Sequence, residues 1–293
     1  MKQEISSFWY TPIGYKGIGL MELLSIKSFL DNKYKFKLYT YNLDDRIFNK
    51  LNEIFDNFEL KDANEIIPLK NYFSDDRGAG VAAFSDYFRF NMLYKMGGVW
   101  VDLDMVCLNQ QDLSQEFIFS QEIDDDETKP RITTSFLKFP KGSEFGAFVI
   151  KEANEIINNQ KTIQWGVIGP CFLAKQVEKY NLKNFTWNYK MTHQIPWCNV
   201  KDFIKKSEFD KTQPFLHLYS EMWRSHKLNK NHFYKYGIYG ELLKKHQIDI
   251  LAKEIDFTFS FKDKYHIIFS MLYHTNYYIK HPRRIFIKSN KKK

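Results

Sequence analysis

Residues 85–108, SDYFRFNMLYKMGGVWVDLDMVCL, constrain the fold of this chain more than any other stretch. A polar-studded helical segment stops at Gly97-Gly98, and the run Val99-Trp100-Val101 follows without a polar residue. An apolar run of β-branched and aromatic residues reads as a strand buried on both faces, the kind found in α/β sheets covered by helices. Asp102 and Asp104 come immediately after it, where open α/β sheets place their ligand sites. Strand alternation predicts that carboxylates spaced i, i+2 point the same way. Paired hard oxygen ligands suit Mg²⁺ or Mn²⁺, ions that hold the diphosphate of a nucleotide. A bare D-x-D also recurs by chance on solvated turns, so context matters. Charged groups seldom approach a buried strand without a partner.

The same reading extends along the chain. Glu4 to Tyr10 reads as a first strand, a loop with Gly14, Gly17 and Gly19 follows, and Leu20 to Leu30 reads as a helix with leucines on one side. Phe36 to Tyr41 is the next strand, making a βαβ unit with a parallel pair and placing Trp9 and Tyr10 at a strand's C-terminal end. The glycines do not form G-x-G-x-x-G, which disfavours a dinucleotide fold. Asp44 to Phe58 reads as a helix, Glu65 to Leu69 as a short strand, and Ala79 to Met96 as a helix closed by glycine. Asp86 and Arg89 share a face of that helix, and an intrahelical ion pair worth roughly 0.2–0.5 kcal/mol is the plain explanation. Beyond residue 110 the signals weaken. Gly166 to Pro170 reads as a helix start with proline in its first turn, able to approach a bound sugar or simply to join loop to helix.

A length of 293 residues fits one α/β domain with appended elements. No stretch reaches the ~18 apolar residues a spanning helix needs, and the start has no long apolar core. Cys107, Cys171 and Cys198 lack paired metal-ligand spacing and read as reduced thiols of a cytosolic protein. The 43 Lys and Arg against 35 Asp and Glu leave a charge of +8, part of it in Arg283, Arg284 and Lys291 to Lys293. The remaining basic residues are dispersed and match no nucleic-acid motif, so nucleic acid is not an expected partner. The tail follows the apolar, aromatic run Tyr265 to Tyr273; it reads either as a contact with an anionic membrane or as a solvated end after a core helix.

Ser85-Asp86-x-x-Arg89, Leu93-Tyr94-x-x-Gly97-Gly98 and Val101-Asp102-x-Asp104 together resemble the bacterial D-x-D glycosyltransferases with a sugar-binding-region signature, similar to capsular polysaccharide and α-1,4-glycosyltransferases. Phe8-Trp9, Glu22 to Phe29, Leu38 to Tyr41 and His217 to Arg224 extend the resemblance over about residues 5 to 225. It implies a GT-A type α/β fold: a single Rossmann-like mixed sheet flanked by helices, with the transferase domain over 1–240 and a helical C-terminal extension with a basic tail over 241–293.

The resemblance also implies roles. Asp104 would be a direct ligand of Mn²⁺ or Mg²⁺ with His217 as a third, and Asp102 would either bind the metal through water or touch the ribose or sugar of the donor. Asp86 and Arg89 would grip donor sugar hydroxyls, Trp9 beside Tyr10 would stack on the nucleobase, and Ser220 and Trp223 would close over the diphosphate. The reaction so implied is retaining transfer of a hexosyl or N-acetylhexosaminyl group from a nucleotide sugar, UDP-linked by expectation. The acceptor would be a bacterial surface glycan such as capsule or lipooligosaccharide, lipid-linked where the enzyme works on the inner face of the cytoplasmic membrane. Two other readings are a toxin-like protein glycosyltransferase and an inactive sugar-nucleotide or glycan-binding protein. The second of these predicts loss of the acidic pair, and both acids are present.

Overall fold

The computed structural model describes residues 3–77, 80–260 and 263. The chain opens with β1 (Glu4–Trp9), α1 (Leu20–Asp31), β2 (Lys35–Thr40), α2 (Arg46–Ile54) and β3 (Phe58–Asp62). These are the expected βαβ unit plus one further parallel strand. The short strand expected over Glu65 to Leu69 is instead 3₁₀ turns at Ala63–Glu65 and Leu69–Asn71. The strand lies earlier, at Phe58–Asp62, because α2 ends at Ile54, short of the expected Phe58. Asp45 starts α2 by accepting the Ile47 N–H at 2.8 Å, an N-cap that satisfies an otherwise unpaired donor.

Helix α3 (Val81–Met96) leads through the glycine pair into β4 (Val99–Val101). There follow β5 (Met105–Cys107), β6 (Ile118–Glu122), β7 (Arg131–Lys138), α4 (Glu144–Asn158), α5 (Pro170–Lys179), α6 (Asp202–Lys205), β8 (Phe215–His217), α7 (Ser220–Ser225), α8 (Gly237–Lys245) and α9 (Ile248–Glu254). The main sheet runs β3-β2-β1-β4-β7-β6, parallel from β3 to β4 and antiparallel at β7 and β6. A second, two-stranded sheet pairs β5 with β8 antiparallel.

Strand alternation divides the interior between the two faces of the sheet. Val99, Val101, Ile5 and Phe36 join one core with α1, α8 and α9, whereas Trp100, Phe8, Tyr39 and Leu137 join the other with α3 and α5. The main mixed sheet flanked by helices is the α/β architecture expected, with the β5·β8 pair as a separate small sheet. The anticipated boundary at 240/241 falls inside α8, and Leu242, Leu243, Ile248 and Leu251 belong to the same core as α1. Residues 265–293, which carry the apolar run and the basic tail, lie outside the described residues. No helix among the described residues is long and apolar enough to cross a membrane.

Candidate active site

Two unrelated stretches meet at the C-terminal end of β4. The first is Asp102-Leu103-Asp104, which forms a turn closed by the Met105 N–H donating to the Asp102 carbonyl at 2.9 Å. Strand alternation was the expected cause of the carboxylates' convergence; the turn is the actual one, since β4 ends at Val101. The second stretch arrives through β8. Met105 pairs with His217, and the Leu218 N–H donates to the Asp104 carbonyl at 2.9 Å, so a ladder joins stretches far apart in the sequence.

One ligand atom from each of Asp102, Asp104 and His217 lies within 4.8 Å of the others. The Asp104 carboxylate contacts His217 Nε2 at 2.9 Å through Oδ1 and accepts the Ser220 N–H at 2.7 Å through Oδ2. Tyr219 delivers that N–H from a left-handed backbone conformation, φ 56° and ψ 62°. A non-glycine residue held there costs of order 1 kcal/mol or more, the kind of strain that gathers at functional sites. Burial pushes the Asp104 carboxyl up, but the His217 charge and hydrogen bond, the Ser220 N–H and the Lys230 charge outweigh it and hold Asp104 well below the usual carboxylate range. Burial likewise pushes His217 down, and Asp104 more than reverses this. Two carboxylates and an imidazole form a donor set suited to Mn²⁺ or Mg²⁺, and the buried His217 Nδ1 has no hydrogen-bond partner, so the ring is not committed elsewhere. Ligation by His217 requires the neutral imidazole.

Arg89 organises the other half of the site. It is 5% exposed, and its Nη1 donates to Asp102 Oδ1 at 2.8 Å and to the Thr134 carbonyl at 2.5 Å. Its Nη2 reaches Asp86 Oδ1 at 3.2 Å, and the guanidinium carbon stands 4.9 Å from the centre of the Trp100 ring. Trp100 Nε1 also donates to Asp102, at 2.9 Å. The pairing of Asp86 with Arg89 is thus no exposed helix-face bridge but part of a buried lattice that fixes Asp102. Burial pushes the Asp86 carboxyl up to about 6 against the pull of Arg89. Burial also raises Asp102, again opposed by Arg89. The start of α5 does approach this cluster: a Cβ on Gly169 would lie 3.2 Å from Asp86 Oδ2.

Trp9 is half-buried, and its Nε1 donates to Thr11 Oγ1 at 2.8 Å, which orients the ring. Tyr10 is wedged edge-on between Tyr41 and Tyr72. Trp223 is 1% exposed, with its ring 4.7 Å from that of Tyr239 and stacked near Phe203. Trp223 anchors α7 in the core, and Ser220 reaches the acids through its backbone.

Three neighbours were not among the site residues expected from sequence. His193 is buried, with Nε2 2.9 Å from Ser135 Oγ, and its ring meets His217 edge-on at 4.8 Å. Burial and the His217 charge hold it well below the usual imidazole range. Tyr219 lies 4.3 Å from the His217 ring. Lys230 extends over Trp9, its ammonium 5.8 Å from the ring centre. Nothing distinguishes Lys230 from the other polar residues of Lys227-Leu-Asn-Lys-Asn-His232 in sequence.

Residues 23–123 match the family described as the glycosyltransferase sugar-binding region containing the DXD motif. No individually curated protein sequence matches the chain. Among solved structures, the chain is similar to the PaToxG glycosyltransferase, with TM-score 0.44 and 13% identity over 61% of this chain and 69% of that one. It is similar to apo GlyE of Streptococcus pneumoniae TIGR4, with TM-score 0.40 and 12% identity over 85% of this chain and 64% of that one. A third is the ligand-free glycosyltransferase domain of the YGT toxin, with TM-score 0.41 and 8% identity over 89% and 95%. The family match spans α1 to β6 and takes in the helix with Asp86 and Arg89 as well as the acidic turn, while Trp9, His217 and Ser220 lie outside it.

Proposed function

We propose that the protein is a retaining, metal-dependent glycosyltransferase that moves a hexosyl or N-acetylhexosaminyl group from a nucleoside diphosphate sugar, with UDP as the carrier, to a bacterial surface glycan. The observation that carries this reading is the convergence of Asp102, Asp104 and His217 at a strand end lined by Arg89 and Asp86. A divalent ion held by those three would stabilise the negative charge that grows on a departing diphosphate.

The chain's own residues have distinct tasks in this reading. Arg89 fixes the Asp102 carboxylate so that it needs no rearrangement when a ligand arrives, which is the essence of preorganisation. Asp86, on the same guanidinium and close to the α5 start, accepts hydrogen bonds from sugar hydroxyls and orients the anomeric carbon. Trp9 offers a ring face to the nucleobase. The Ser220 N–H holds Asp104 from the α7 side and ties the C-terminal part of the domain to the site.

The test is a screen of UDP- and GDP-sugars for turnover with and without Mn²⁺, followed by glycan acceptors and by measurement of the product's anomeric configuration. At least one donor should turn over only with metal, and Asp104→Asn should remove that turnover while thermal melting changes little. Donor turnover that persists in EDTA, or at near wild-type rate in Asp104→Asn, overturns the reading.

A further inference from the structure

We propose that Lys230 is the binding residue for the diphosphate of the nucleotide ligand and that Glu22 is a positioning residue that holds it there. This rests on the nucleotide-sugar reading above.

Glu22 is an unusual carboxylate: it sits in the first turn of α1 at 1% exposure. A buried carboxylate is retained only with partners, and Glu22 has two. One oxygen accepts the Gly19 N–H at 2.7 Å, which caps α1; the other pairs with the Lys230 ammonium. The capping task needs one oxygen only. The second is directed at a cation whose side chain remains 29% exposed.

Lys230 is fixed at its main chain as well. Its carbonyl accepts the Tyr239 hydroxyl at 2.5 Å, and the adjoining Asn231 Oδ1 accepts the Leu20 N–H at 3.0 Å. Surface lysines ordinarily sacrifice rotamer freedom when they are fixed on a ligand. Here much of that ordering is present before any ligand arrives. The place of the ammonium is also specific: it overlies Trp9, the proposed base platform, 5.8 Å from the ring centre. A cation fixed beside a nucleobase platform is placed to meet the phosphates that follow the base and sugar of a nucleotide. An ammonium carries three N–H donors, so the bond to Glu22 leaves capacity for phosphate oxygens. Arg89 has no such capacity to spare, because its donors are committed to Asp86, Asp102, Thr134 and Ser85.

Calorimetric titration in Mn²⁺ with UDP and GDP, and with the free nucleosides uridine and guanosine, tests this on the full chain. Lys230→Met should weaken the nucleoside diphosphate about tenfold or more, equivalent to ~1.4 kcal/mol, and leave the nucleoside within about twofold. Lys230→Arg, which keeps the charge, should stay much closer to wild type. Glu22→Gln keeps an oxygen for Gly19 and should fall between wild type and Lys230→Met for the diphosphate alone. Unchanged diphosphate affinity in a folded Lys230→Met protein overturns the proposal, as does an equal loss for diphosphate and nucleoside. If wild type binds neither diphosphate, the nucleotide reading itself falls and this inference with it, which separates that failure from one confined to Lys230.

Discussion

Arg89 shows how far a single side chain can depart from its sequence-level worth. Spacing i, i+3 with Asp86 predicts an ion pair contributing roughly 0.2–0.5 kcal/mol on an exposed helix face. Burial changes the sign of the question, because removing the guanidinium leaves Asp86 and Asp102 without their cation. Arg89→Ala is expected to cost about 3–5 kcal/mol in urea unfolding, the range for breaking a buried pair by deleting one partner. A loss below about 1 kcal/mol would return the residue to the status of a surface pair. Asp86 gives a pH signature from the same cluster. Its carboxyl rises from 3.8 to about 6 in the folded protein, chiefly through burial. Between these values the native state binds more protons than the unfolded state, so the contribution of Asp86 to stability is present at low pH and falls as pH rises. The stability of wild type minus that of Asp86→Asn should decline by on the order of 1–3 kcal/mol from about pH 4 to pH 6 and then level off. A difference that is flat or rising across that window contradicts the burial of Asp86.

The elements that could be read from sequence are those with strong local signals. Leu20 to Leu30 is nearly all of α1 because its apolar residues recur at helical spacing and a glycine precedes it. Ala79 to Met96 is close to α3 because Gly97 stops it. By contrast, the β5·β8 sheet was not legible, since its three-residue strands lie more than 100 positions apart and their pairing is a tertiary fact. That sheet places His217 against Asp104, so the resemblance supplied the histidine and the fold supplies the reason. His193 and Lys230 were missed for the same cause: each reaches the site from a segment without periodicity. Gly97 is where local and tertiary demands coincide. It adopts φ 70° and ψ −161°, and a Cβ there would lie 3.0 Å from the Lys141 backbone nitrogen. Gly97→Ala should therefore destabilise the protein by about 1–3 kcal/mol, combining backbone strain with a crowded contact, as measured by the urea midpoint. An effect within about 0.5 kcal/mol would mean that α3 and β4 can be joined without a glycine.

At the scale of the whole molecule, the sheet separates two cores, and the site lies where structure from both faces meets. Helix α3 brings Asp86 and Arg89 from one side; β5, β8 and α7 bring Asp104, His217 and Ser220 from the other. Because α8 and α9 share the α1 core, the chain leading to the C-terminus leaves from the body that holds Lys230 and Glu22. Beyond the described residues the sequence turns apolar over Tyr265 to Tyr273 and then basic, with Arg283, Arg284 and the closing lysines. A glycan acceptor carried on a lipid would be presented at an anionic surface, and a segment of this composition is suited to meet it. Each basic residue near such a surface contributes roughly 1 kcal/mol, screened over about 8–10 Å at ordinary ionic strength. The full chain is thus expected to sediment with vesicles containing anionic lipid, to do so less as salt rises, and to lose most of that binding when the chain is ended after Lys280. Equal sedimentation of both forms, or binding indifferent to lipid charge and salt, would leave the tail as a solvated end and point to an acceptor delivered from solution.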